Sequence, residues 1–194
     1  MGILFTVIGK SASGKDRIYR ELLRDDSLDL TPFVTCTTRP MRTGEKNGRE
    51  YFFTDVETMR GLEAAGKIVE SRAYPTVHGD WHYFTVDEGD GLLQENYLLI
   101  GTPESYVKIR DYYGGKNMYP ILLETDDGDR LQRALNRERR QEQPKYSEMC
   151  RRFLADEKDF SQEKIKEAGI DRVFRNDDLR VCLEEIRSYI QSHL

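Results

Sequence analysis

Residues 3–15 read ILFTVIGKSASGK, and this stretch decides the fold. Its first six residues are an apolar run with β-branched side chains, which predicts a strand buried on both faces in a parallel sheet. Residues 9–14 are small or polar and predict a loop. A helical pattern begins at Lys15, with apolar residues recurring on one face. The chain therefore starts with a strand, a glycine-rich loop and a helix.

The rest of the chain continues this alternation of strands and helices. Further strands are predicted at 33–36, 51–53, 68–73, 81–86, 97–100, 118–124 and 173–174. Further helices are predicted at 56–65, 104–113, 127–140, 148–168 and 177–194. The pattern predicts an α/β fold with a mainly parallel sheet. Residues 38–90 look like a small, mainly β lobe inserted into a core formed by residues 1–37 and 91–194.

Composition limits the classes of function. A chain of 194 residues suits one domain, or one domain with an inserted lobe. The formal net charge of -5 argues against a nucleic-acid partner, whereas local arginine clusters suit small anionic ligands. The apolar N-terminal stretch is too short to span a membrane and lacks signal-peptide features, so we expect no membrane partner. Three widely spaced cysteines indicate a reducing compartment, and the expected location is cytoplasmic.

The loop matches G-x-x-x-x-G-K, the motif of phosphate-binding loops. Small residues allow the backbone to wrap a phosphate chain, the helix N-terminus adds its positive dipole end, and Lys15 neutralises phosphate charge. A chance match is the alternative, but the position between the first strand and the first helix favours a true phosphate loop. This predicts a P-loop NTPase-type three-layer fold. The predicted ATP-binding residues in the loop are Gly9, Lys10, Ser11, Ala12, Ser13, Gly14 and Lys15.

Asp16 departs from the motif, which has Ser or Thr after the lysine to hold Mg²⁺. A carboxylate is also a hard oxygen ligand, so Asp16 is a candidate for binding the metal and for contact with ATP. The alternative is that Asp16 only caps the helix and favours its dipole.

A second motif spans residues 35–51 and reads TCTTRPMRTGEKNGREY. It resembles the guanylate kinase pattern S-x-T-T-R-x-x-R-x-x-E-x-x-G-x-D/E-Y, and the similarity extends to residues 68–70 and 176–179. The resemblance implies a core, an inserted GMP-binding lobe and a mobile helical lid at about 137–151. It also implies phosphoryl transfer from ATP to GMP with Mg²⁺, by a monomer or homodimer whose partners are small nucleotides.

The resemblance implies roles for residues of the lobe. Arg39 and Arg42 would hold the GMP phosphate with their guanidinium forks, and Tyr51 would donate its hydroxyl to the same group. Glu70 would accept hydrogen bonds from guanine N1–H and N2, donors that adenine does not present together. The remaining predicted GMP-binding residues are Thr35, Tyr83, Thr85 and Thr102. Taken singly, these residues also suit a solvated charged loop, a strand surface or ordinary packing.

The predicted lid is rich in arginine, which suits the stabilisation of a transferring phosphoryl group. Arg137 matches the family lid best, followed by Arg139, while register alone leaves Arg151 and Arg152 open. The predicted catalytic residues are Lys15, Arg39, Arg137, Arg139 and Arg152. Asn176 resembles the family residue beside the adenine of ATP, although an Asn before Asp-Asp also suits a turn or a helix cap.

Two further departures from the pattern concern the acceptor site. Phe84 stands where the family typically has Gly, and its ring is expected to move the neighbouring Tyr83 and Thr85. Ile100 and Thr102 stand where the family has the two carboxylates of a D-x-D pattern, and Asp16 or Glu104 are candidates to replace the lost charge. These departures leave two alternatives open: a kinase for another small acceptor, and a non-catalytic module that binds phosphorylated ligands.

Overall fold

Two sheets organise the chain, which a computed structural model describes at residues 2–42, 44–76, 79–87 and 95–194. The strands are β1 (Leu4–Gly9), β2 (Leu30–Pro32), β3 (Cys36–Thr37), β4 (Phe52–Phe53), β5 (Ile68–Thr76), β6 (Gly79–Val86), β7 (Asn96–Gly101), β8 (Met118–Glu124) and β9 (Val173–Arg175). The α-helices are α1 (Lys15–Leu23), α2 (Val56–Ala64), α3 (Pro103–Tyr112), α4 (Asp127–Arg139), α5 (Tyr146–Asp159), α6 (Gln162–Glu167) and α7 (Leu179–Gln191).

The larger sheet is parallel and has the strand order β2-β7-β1-β8-β9. All six residues of β1 are buried because helices cover both faces of the sheet. Phe5 and Val7 face a core completed by α1 and α7, whereas Leu4 and Ile8 face a core completed by α3 and residues near α6. The structure thus confirms the predicted three-layer α/β fold. In parallel sheets the carboxyl ends of the strands are the usual place for ligands, and β1 ends there in the glycine-rich loop.

The smaller sheet is mixed and has the order β4-β3-β6-β5. The single strand predicted at 33–36 is wrong. The chain leaves the larger sheet after Pro32 and enters the smaller one at Cys36, so residues 33–35 connect two sheets. Cys36 and Thr37 pair with β4 and β6, although the sequence placed them in the core. The core and lobe boundaries stay a prediction, and the one at residues 90–91 lies outside the described residues.

The long helix predicted at 148–168 is also wrong, because the structure has two helices there. α5 ends at Asp159, and the side chain of Ser161 caps α6 by accepting from the Lys164 N–H. Such a cap supplies a hydrogen-bond acceptor for a backbone N–H at a helix N-terminus, and so favours the start of a second helix at this point. Nowhere in the described ranges is there a helix with the length and apolar character to cross a membrane.

Candidate active site

The glycine-rich loop connects β1 to α1 with two glycines in restricted positions. A Cβ on Gly9 would lie 2.6 Å from the Oγ of Ser13, so the loop closes tightly on itself only without a side chain there. Gly14 has a φ of 92°, in the left-handed region that favours glycine. Ala12, at a φ of 62°, also lies in this region, which is uncommon for a residue with a side chain. The local geometry therefore explains the spacing of the two glycines in the motif.

Asn176, directly after β9, forms a hydrogen bond with this loop. It is 5% exposed, and its Nδ2 donates to the Ser13 carbonyl at 2.7 Å. The Thr125 hydroxyl donates to the same carbonyl at 3.1 Å. Helix α7 is capped by Asp178, so Asn176 is not its N-cap. The observed role of Asn176 is to hold the phosphate loop, and its contact with adenine stays a prediction.

Replacing Gly14 with Ala is expected to destabilise the fold. The new Cβ would lie 2.4 Å from Nδ2 of Asn176, in addition to the strain of a non-glycine residue at this φ. We expect a loss of about 2 kcal/mol or more in the free energy of unfolding, measured by denaturant titration.

Gly61→Ala is the matched control, because that glycine lies in α2 with open space around its Cβ position. It should raise stability by about 0.5–1 kcal/mol. Equal stability of the Gly14 variant and the wild type would show that the loop has room for a side chain.

Two arginines, one from α4 and one from α5, act electrostatically on Lys15. Burial lowers the pKa of Lys15, and the charges of Arg152 and Arg137 lower it further, against the opposing effects of Asp16 and Asp156. Arg137 and Arg152 line one cavity together with Ser11 of the loop. The structure thus brings these two predicted catalytic arginines to the phosphate loop.

The other candidate arginines of the lid lie apart from this group. Arg139 is exposed in the last turn of α4, about 200° around the helix from Arg137. Arg151 is exposed and pairs with Glu148, whereas Arg152 is half-buried, with an Nη 3.4 Å from the Ser11 hydroxyl. The geometry therefore favours Arg152 over Arg151, and a role for Arg139 stays a prediction.

An ion-pair network around the buried Arg130 joins α4 and α5 to the loop, and its members Asp156 and Glu157 were not among the residues expected from the sequence. Arg130 is 1% exposed, and it donates to the Ser11 carbonyl and to Asp156. Asp156 in turn accepts from the Ser11 N–H at 2.7 Å, and Lys10 pairs with Glu157 at 2.6 Å. One signal was present, because Asp156 follows Arg152 by four residues and so shares its face of α5. This network holds α4 and α5 against the phosphate loop.

Asp16 is exposed in the first turn of α1. The N-cap of this helix is Gly14, so Asp16 is not its capping residue, although a carboxylate in the first turn favours the dipole. In the described ranges, no group of three or more His, Cys, Asp and Glu side chains is arranged to hold a metal ion. A role for Asp16 with a metal stays a prediction.

The predicted acceptor-phosphate residues lie around Arg39. Arg39 is 3% exposed, so it does not belong to a solvated loop, and its two Nη atoms each donate to Glu45 at 2.8 Å. Its Nε is buried with no hydrogen-bond partner among the described residues. The Tyr51 ring packs against both Arg39 and Tyr83. The guanidinium fork of Arg39 is therefore occupied by Glu45, and its contact with a phosphate stays a prediction.

Electrostatics link this cluster to the phosphate loop. Partial loss of hydration and the positive charges of Arg39 and Arg152 lower the pKa of Arg42. Burial raises the pKa of Tyr51 to about 12, and the charge of Asp16 adds to the shift. Tyr51 is therefore a neutral O–H donor at physiological pH. Guanidinium groups from the lobe and the lid thus face one region, which suits an anionic ligand.

Glu70 lies on β5 of the smaller sheet. Its side chain is fully buried, and Oε1 accepts from the Thr85 hydroxyl at 3.0 Å. The strand register places Glu70 opposite Thr85. Phe84 alternates to the opposite face and is fully buried, so its ring leaves the contact between Thr85 and Glu70 intact. Thr35 is also buried, and its contact with a base stays a prediction.

Arg72 contacts two of the predicted site residues and was not itself expected from the sequence. Its Nε donates to Oε2 of Glu70 at 3.0 Å, its Nη2 reaches Oε1 at 3.4 Å, and its Nη1 donates to the Thr102 hydroxyl at 3.0 Å. The period of two along a strand was the available signal, because it places Arg72 on the same face as Glu70. Thr102 also caps α3, whereas Glu104 is exposed and pairs with Lys108. The position of one missing D-x-D carboxylate is thus linked to a guanidinium.

Comparisons with known proteins agree with this geometry. The family model described as guanylate kinase matches residues 3–81. Proteins named guanylate kinase from Porphyromonas gingivalis and Zymomonas mobilis are 28% and 26% identical, over 96% and 97% of this chain and 95% and 83% of their own lengths. One from Nitrosomonas europaea is 41% identical over 41% of this chain, a match that spans only 38% of that relative.

A solved structure shows that the fold is shared. The crystal structure of guanylate kinase from Anaplasma phagocytophilum matches with a TM-score of 0.66 at 19% identity, covering 98% of this chain and 85% of that one. Its agreement with the described architecture supports the sequence matches, which extend over nearly the whole chain. The chain is thus similar to guanylate kinases in sequence over nearly its whole length and in fold.

Proposed function

We propose that the chain is an ATP-dependent nucleoside monophosphate kinase that transfers the γ-phosphoryl group of ATP to GMP, giving ADP and GDP. The observation that carries the proposal is the convergence of Lys15, Arg137 and Arg152 at the phosphate loop. Arg42 of the lobe is close enough to interact electrostatically with Arg152. Phosphoryl transfer depends mainly on positioning and on positive charge around the transferring group.

In this proposal each group of residues has one task. The phosphate loop and Lys15 would hold the donor triphosphate, and Arg137 and Arg152 would neutralise charge on the transferring group. Arg42 and Tyr51 would hold the acceptor phosphate, while Glu70 would accept from the base. Closure of α4 and α5 over the loop would exclude water, which otherwise takes the phosphoryl group.

Mg²⁺ would be held by Asp16 together with phosphate oxygens and water. The metal would supply neutralisation of phosphate charge when bound. Asp16 is the carboxylate next to Lys15, at the position where the motif has a hydroxyl. One protein carboxylate thus suits a metal ion whose other ligands are phosphate oxygens of the bound nucleotide and water.

Replacing Asp16 with Ala is expected to lower Mg²⁺-dependent turnover by about 10²-fold or more, since the ion loses its proposed protein ligand. Calorimetric binding of ATP with and without Mg²⁺ provides a second readout, in which the variant should lose the gain due to Mg²⁺. Asp26→Ala, in the turn after α1, is the control. Unchanged turnover and unchanged Mg²⁺ dependence in the Asp16 variant would exclude this role.

The competing function is a non-catalytic module that binds phosphorylated ligands. The engagement of the Arg39 fork by Glu45 and the absent D-x-D carboxylates favour it, whereas a binding module has no need of Lys15 or the lid arginines. A coupled ADP-release assay with ATP, Mg²⁺ and a panel of monophosphates separates the two functions. We expect turnover with GMP and little with AMP or CMP. Binding of GMP without any turnover would favour the module.

A further inference from the structure

The residues predicted to read the base have an unusual order of hydrogen-bonding groups. The Thr85 hydroxyl lies against Oε1 of Glu70, and the Arg72 guanidinium lies chiefly against Oε2. A carboxylate only accepts hydrogen bonds, a guanidinium only donates them, and a hydroxyl can do both. Along this wall the groups are therefore a hydroxyl that can donate, an acceptor and a donor.

This order differs from that of a site built from a carboxylate alone. Guanine presents one carbonyl followed by two donors, N1–H and the 2-amino group, and so needs acceptors in two neighbouring positions. Here one of those positions is next to Arg72, whose side chain is only 11% exposed and also bonds to Thr102. The 2-amino group of guanine would thus face a donor, whereas a carbonyl at the same place would accept from it.

We propose that Arg72 determines acceptor specificity and extends it to bases with an imide edge, in which an N–H lies between two carbonyl groups. Xanthine has this edge among purines, and uracil and thymine have it among pyrimidines. On binding, the Thr85 hydroxyl would turn its single hydrogen from Oε1 of Glu70 to one carbonyl, Glu70 would accept from the base N–H, and a remaining N–H of Arg72 would donate to the second carbonyl. The proposal rests on the proposed nucleoside monophosphate kinase function and names further acceptors for that site.

Selection among these acceptors takes place at the base end. The acceptor phosphate is common to all of them, so the contacts proposed for Arg42 and Tyr51 do not distinguish one from another. Discrimination by a buried polar wall is strong because a wrong base leaves a donor or an acceptor unpaired.

The test compares kcat/KM for XMP, UMP, dTMP and GMP, with ATP and Mg²⁺, in the wild type and in Arg72→Met. We expect the wild type to phosphorylate XMP, and the variant to lower the ratio of XMP to GMP turnover by about 10- to 100-fold, the effect of one lost charge-assisted hydrogen bond. Arg60→Met, an exposed arginine of α2, should leave the ratio unchanged. A change for XMP alone supports the proposal for purines, and a change for UMP or dTMP as well supports it for imide edges in general.

Different results would contradict the role of Arg72 and the proposed kinase function. Equal losses for XMP and GMP would show that Arg72 only positions Glu70, and a wild type that phosphorylates GMP but not XMP would also overturn the proposal. A wild type that phosphorylates none of these nucleotides would instead overturn the proposed function. If Arg72→Met fails to fold, Arg72→Gln serves in its place, because its amide also accepts and should shift the ratio toward GMP.

Discussion

Replacing Lys15 with Met is expected to lower kcat/KM for ATP by about 10²–10³-fold, the usual effect of removing one preorganised donor to a charged transition state. The same change should not lower stability. Burial lowers the pKa of Lys15, so the charged form costs stability at neutral pH, and that cost is relieved as the pH rises toward the ordinary value of 10.5. Kinetic assays and thermal unfolding of the same variant check both expectations.

Lys116→Met provides the matched control, because this exposed lysine precedes β8 at the opposite end of the sheet. It should retain full activity. A Lys15 variant with turnover within about tenfold of the wild type, or with a large loss of stability, would show that the lysine serves the fold and not the phosphates.

Replacing Glu70 with Gln is expected to lower kcat/KM for GMP by about 10²–10³-fold. The amide turns a donor toward the N1–H or N2 of guanine, and it leaves the Arg72 guanidinium beside a neutral partner. The ratio of GMP to AMP turnover should fall, because the new N–H suits adenine N1. Steady-state kinetics with both nucleotides measure this ratio.

Glu63→Gln, an exposed residue of α2, is the control for the loss of one negative charge in the lobe. An unchanged ratio of GMP to AMP turnover in the Glu70 variant would contradict the assignment of Glu70 as the base reader. Circular dichroism of both variants shows whether the lobe keeps its structure.

Much of the core follows from local patterns in the sequence. The strand, loop and helix at residues 4–23 are as predicted, because a buried β-branched run, small loop residues and a helical period each specify their own conformation. β8 has its predicted limits, Met118–Glu124, for the same reason. The division of residues 30–37 between two sheets was not predictable, because it depends on pairing with β4, β6 and β7, which lie 16 to 66 positions farther along the chain.

The site shows the same difference between features that local sequence determines and features that depend on residues far away in the chain. The loop motif predicted a phosphate loop at the end of a buried strand, and the structure has that geometry. The contacts of Arg72 with Thr102 and of Asp156 with Ser11 join residues 30 and 145 positions apart. Local spacing places Arg72 on the face of Glu70 and Asp156 on the face of Arg152, but it does not indicate these distant partners. For Arg39, the residue type alone suggested a phosphate ligand. Its bidentate bond to Glu45 was not predictable, because that bond depends on how the loop folds.

The most direct test of the proposed reaction is to follow the γ-phosphoryl group itself. The wild-type chain is incubated with ATP labelled at the γ-phosphate, Mg²⁺ and GMP, and the products are separated by chromatography. The account predicts label in GDP, in equal amount to the ADP formed, and a rate of this transfer about 10²-fold or more lower in the Lys15→Met variant. Bound GMP with no labelled GDP, or release of the label only as inorganic phosphate, would contradict it.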